Sequence, residues 1–170
     1  MTNDNLVLYG GIIATALVVV LYLIYWYKEK RSIANPPQPA TGNSLNLRLQ
    51  AYERLVLLAE RIALPSLITR IPPGDLDIRQ MQAVLVDQIK TEFDYNLSQQ
   101  IYVAPQAWQA VTNLKEQNIF IINQVAQTLP ADAKGADLSM RIIELLSTDP
   151  KVSLHTVVLE ALNFEARKLL

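Results

Sequence analysis

Between Leu6 and Tyr27 the chain runs LVLYGGIIATALVVVLYLIYWY, 22 residues without a formal charge. At about 1.5 Å per helical residue, such a run matches a hydrocarbon core of about 30 Å with some tilt. Tyr22, Tyr25, Trp26 and Tyr27 close it, and Lys28, Lys30 and Arg31 follow at once. Aromatic rings favour the interface, where the ring body meets lipid and its polar tip meets water. The five residues before the run, MTNDN, hold Asp4 and no Lys or Arg. The excess of cations after the run predicts an N-terminus outside and the rest of the chain in the cytoplasm. A cleaved signal peptide fits poorly, because the basic leading region, shorter apolar stretch and small-residue cleavage site are all missing.

Within this expected transmembrane helix, Gly10 with Ala14 and Gly11 with Thr15 stand four apart. Small residues at that spacing let two helix backbones approach closely, so the seam is a candidate for helix pairing. A juxtamembrane stop and linker are expected over 28–44. The stretch SIANPPQPATGNS, with Pro36, Pro37 and Pro39, favours an extended spacer of about 3.1 Å per residue.

The 126 residues from Leu45 onward suffice for one domain with its own core. Apolar residues recur there at steps of three and four, as in Leu45, Leu49, Tyr52, Val56, Ala59 and Ala63. Pro65 interrupts that helix, leaving a short turn to Ile71. After IPPGD, with Asp75 as expected N-cap, a second helix carries Ile78, Met81, Leu85, Ile89, Phe93, Leu97 and Ile101. Pro105 suits the first turn of a third, DLSMRIIELLS forms a short fourth, and Asp149-Pro150 is expected to cap and open the last. No alternating pattern long enough for a sheet appears. The expected fold is all-α: one N-terminal transmembrane helix plus a cytoplasmic antiparallel bundle of four to five helices over 45–170.

The stretches RLQAYERL, NLSQQIYV and the following Trp108 resemble a family of uncharacterised bacterial proteins with one N-terminal membrane helix and a helical cytoplasmic domain. The resemblance covers most of the body from about Leu47. It implies the same fold and the bacterial inner membrane as location, and it brings no activity, cofactor or partner.

The inventory of reactive groups is poor. The chain has no cysteine, one histidine and five glycines, and neither a P-loop nor a GxGxxG pattern. Bundle di-metal sites use Glu-x-x-His, whereas His155 precedes Glu160 by five, so no metal or cofactor is expected. From Leu45 onward, 12 Lys and Arg face 14 Asp and Glu, leaving −2 and no basic surface for nucleic acid.

Three runs are apolar on more than one face: LVLLA at 55–59, IFII at 119–122 and VVLEAL at 157–162. They are either central helices or surfaces facing a partner or second copy. Asn96, Ser98, Gln99 and Gln100 interrupt an apolar stripe beside Tyr95, Tyr102 and Trp108. They form either a hydrogen-bonded bend or a polar recognition patch. Arg54, in a Leu-rich helix, belongs either to a buried pair with Glu92 or Asp94 or to an ordinary solvated face.

The function this favours is a membrane-tethered interaction or scaffolding module that holds a protein partner, or copies of itself, at the inner membrane, without catalysis. The alternatives are a small accessory subunit of a larger envelope complex and, from another class, a membrane-bound hydrolase using Ser or carboxylate chemistry.

Overall fold

A computed structural model describes residues 42–149 and 153–170. The expected span at 6–27 lies outside them, as do the pairing seam Gly10, Gly11, Ala14, Thr15 and the anchor Tyr22, Tyr25, Trp26, Tyr27, Lys28, Lys30, Arg31. Among the described residues no helix is long and apolar enough to cross a membrane.

The described residues are helical throughout, with one isolated antiparallel bridge between Asp77 and Lys134 in place of any sheet. Among the described residues there are six helices: α1 Gly42–Ile62, α2 Leu64–Arg70, α3 Ile78–Tyr95, α4 Pro105–Thr128, α5 Gly135–Thr148 and α6 His155–Arg167. A 3-10 turn, Leu97–Ile101, joins α3 to α4. The compact unit runs from Gly42 to Leu170, so α1 starts three residues before the expected Leu45.

The sixth helix is the stretch expected to be only a turn after Pro65. Proline lacks an N–H, which costs nothing in a first helical turn where that donor has no partner anyway. Extended backbone at Ala63 breaks α1, and α2 restarts with Pro65 in its first turn. Leu64 and Leu67 are fully buried, and packing of this kind stabilises a seven-residue helix that could not stand alone. The end of α1 is sealed by side chains from elsewhere. Arg70 Nη2 donates to the Arg61 carbonyl at 2.6 Å, and Asn118 Nδ2 donates to the Ile62 carbonyl at 2.8 Å.

Other helix starts differ from expectation as well. Asp77, rather than Asp75, caps α3: its carboxylate accepts from Gln80 N at 2.8 Å, and Gln80 Oε1 accepts from Asp77 N at 3.0 Å. This reciprocal pair satisfies two amides at once, which a cap two residues earlier would not. The last helix begins at His155 rather than beside Asp149. Asp149 ends α5, its N–H reaching the Leu145 carbonyl, and Leu154 N donates to Gln117 Oε1 of α4 at 2.8 Å.

The core runs through all six helices. Leu55, Ile62, Leu85, Ile89, Leu114, Ile122, Leu138 and Leu162 are all sealed from solvent, each contributing about 1.5–3 kcal/mol by leaving water. The loops entering α3 and α5 meet at the Asp77–Lys134 bridge, where Gly135 N donates to Leu76 O at 2.8 Å. A Cβ on Gly135 would stand 2.9 Å from Met81 Cβ, so only glycine permits this approach.

Candidate functional site

The polar stretch after α3 is a corner whose residues divide into two roles. Asn96 is buried, and its Nδ2 donates to the Glu92 carbonyl at 2.8 Å, halting α3 one residue earlier. Gln99 is buried too, with Nε2 donating to Ser98 Oγ at 3.1 Å. Trp108 is half-buried and tilted against Phe93, ring centroids 5.0 Å apart. These three serve the bend. Ser98 and Gln100 face solvent, and so do the rings and aliphatic chains between the amides: Tyr95 is 75% exposed, Ile101 73%. Leu97 and Tyr102 are exposed as well.

The exposure of Leu97 and Ile101 overturns their place in the expected buried stripe. Once Asn96 stops the α-helix, the backbone turns at three residues rather than 3.6, so the face carrying Ile89 and Phe93 no longer continues to 97 and 101.

A groove of about 470 Å³ between α1 and α3 adjoins this corner, lined by Arg54, Leu57, Arg61, Glu92, Tyr95 and Asn96 among others. Glu92 is the buried carboxylate of the site. Its partner is Arg61, not the Arg54 expected: Arg61 Nε and Nη2 donate to the same Oε1 at 2.8 and 2.6 Å. Gln88 Nε2 donates to that oxygen at 3.2 Å, and Arg70 Nη1 stands 3.6 Å from it. The Glu92 hydrogen bonds and negative charge hold the Arg61 guanidinium's proton more tightly than usual. Arg54 instead lies over the Tyr95 ring, 5.4 Å from its centroid, leaving its charge facing the groove. Asp94 is exposed and does not join the pair.

Each of the three many-sided apolar runs proves to be core with one large apolar member turned outward. Leu55, Leu58 and Ala59 are buried while Leu57 is 61% exposed; Ile121 and Ile122 are buried while Phe120 is 61% exposed; Val158 and Leu162 are buried while Val157 is 61% exposed. Leu57 is the one of these that lines the groove.

His155 stands at the start of α6 with Nε2 3.3 Å from Glu60 Oε2, out of hydrogen-bond geometry. Among the described residues no group of three or more His, Asp or Glu could hold a metal ion. The pairing of Glu92 with Arg61 and Arg70 was not legible as such in the sequence. Its one local signal is a carboxylate beside Phe93 and one turn after Ile89, on a helix face that is otherwise buried.

Comparison with known proteins adds one relationship. A family model described as a family of unknown function, DUF7935, matches residues 5–169. No curated protein and no solved structure matches the chain.

Proposed function

Because the chain belongs to the DUF7935 family, whose function is unknown, we propose a role from its own residues: a membrane-tethered interaction module without catalytic activity. In this reading the span at 6–27 anchors the chain once in a bacterial inner membrane, N-terminus outside, and the helical domain lies in the cytoplasm. The mechanism is tethering, which raises the concentration of the domain's binding surface near other components of the same membrane.

The observation that carries the reading is the groove beside the α3 corner. It combines exposed apolar side chains, Leu57 and Tyr95, with the guanidinium of Arg54, while the buried Glu92 carboxylate is held by the exposed Arg61. Tyrosine and arginine side chains in one depression are among the residues enriched at protein-binding hot spots. The bound segment would be apolar with an acidic residue to meet Arg54.

Two measurements test this on the full-length chain. Purification in mild detergent is compared with the Leu57→Glu and Tyr95→Ala variants. Loss of the same co-purifying protein from both supports the groove, and retention by both removes it. A reporter fused after Leu170 should signal from the cytoplasm; a signal from the periplasm alone would overturn the orientation.

A further inference from the structure

From Tyr95 to Leu114 the chain has twenty consecutive residues without Asp, Glu, Lys or Arg. Much of this stretch is inside, yet four of its large side chains, Tyr95, Leu97, Ile101 and Tyr102, face outward from the corner after α3. That corner packs beside the beginning of α1. Ile101, Tyr102 and Pro105 line one hollow of about 540 Å³ with Ser44, Leu47 and Arg48, and Arg48 is the charged side chain in its wall. Leu47 is exposed there too.

We infer that this corner, Leu47 with Leu97, Ile101 and Tyr102, rests in the headgroup layer of the bilayer that anchors the chain. The inference depends on the membrane-tether reading above and names a second contact for it. Chain length supports it: fourteen residues separate Tyr27 from Gly42, and at about 3.1 Å each a proline-rich segment reaches only about 40 Å. In that reading the first turns of α1 stay within about 40 Å of the end of the span, and the corner lies at those same turns. A surface supplied within that reach is met at high effective concentration.

The chemistry fits a lipid interface. Tyrosine rings and short apolar side chains with Ser98 and Gln100 between them suit the boundary between headgroup and acyl chain. The lack of any carboxylate over twenty residues avoids repulsion from anionic lipids, and Arg48 adds attraction. Ile101 ends and Tyr102 follows a 3-10 turn whose Gln99, with the preceding Asn96, is buried, so the contact is presented by backbone seated on the body.

The chain lacks cysteine, so a single introduced one can carry a unique probe. Full-length Ile101→Cys and Leu47→Cys, with Met140→Cys on α5 as an exposed reference, are labelled with an environment-sensitive NBD fluorophore. They are then reconstituted into phosphatidylcholine–phosphatidylglycerol vesicles. The probes at 101 and 47 should shift to the blue and lose intensity when the vesicles carry headgroup-proximal nitroxide lipid, while the probe at 140 should do neither. If 101 and 47 match 140 in a chain that resists alkaline extraction, the inference fails and the tether stands. A blue shift without lipid quenching assigns the corner to a protein or a second copy, and overturns it as well. A chain that alkali removes from the vesicles sinks both readings together.

Discussion

The Tyr52 hydroxyl accepts a hydrogen bond from Ala104 N at 3.0 Å, joining α1 to the residue that opens α4 across 52 positions of sequence. Ala104 stands where a Ser, Thr or Asp would ordinarily cap a helix, and it has no side-chain cap of its own. The cap comes instead from a side chain otherwise buried in the core. One bond thereby satisfies a helix end and fixes where α1 lies against the corner.

Tyr52→Phe keeps the ring and removes only this acceptor. Leaving the Ala104 amide without its partner should cost about 1–3 kcal/mol, read as a lower urea midpoint with an unchanged slope. A loss below about 0.5 kcal/mol would mean that water replaces the hydroxyl, and that the bond does not set the α1–α4 junction.

Arg61 and Arg54 lie two turns apart on α1 and should behave differently. Arg61→Ala strands the Glu92 carboxylate with only Gln88 and the more distant Arg70, and should cost about 1–3 kcal/mol. Arg54→Ala removes an exposed contact with the Tyr95 ring and should cost about 0.5 kcal/mol. Equal losses in thermal unfolding would show that pairing the buried Glu92 carboxylate with Arg61 has no special place in stability.

Two Gly→Ala changes should have opposite signs. At Gly135 the new methyl meets Met81 Cβ at 2.9 Å and the Leu76 carbonyl at 3.1 Å, which should destabilise by about 1–3 kcal/mol. At Gly42, in the first turn of α1, no other described side chain lies within 4 Å of the new methyl, and the same change should stabilise by about 0.4–1 kcal/mol through a less flexible unfolded chain. Calorimetry of both variants checks the pair. A neutral Gly135→Ala would mean that the loops at the Asp77–Lys134 bridge move apart freely.

Periodicity alone located most of the helices, because burying one face of a helix forces apolar residues to recur every three or four positions, and Pro105 announced the start of α4. It failed at ends. Asp77 won over Asp75 because a second partner, Gln80, stood at the right spacing, and α6 starts at His155, where Gln117 of another helix receives the Leu154 amide. At the candidate site the polar interruption at 96–100 was visible, but its division into braces and exposed rings was not. That division follows from Asn96 stopping the helix and changing the turn from 3.6 residues to three.

Local chemistry in the chain decided that the body is helical, where most of its apolar stripes lie, and that thiol chemistry is closed to it, since each depends on residues close in sequence or on simple composition. The tertiary structure alone decided that Glu92 belongs to Arg61, that Tyr52 caps α4, and which member of each apolar run turns outward. Those are relations between residues 31 or more positions apart, or between a helix and its neighbours, and no local period encodes them.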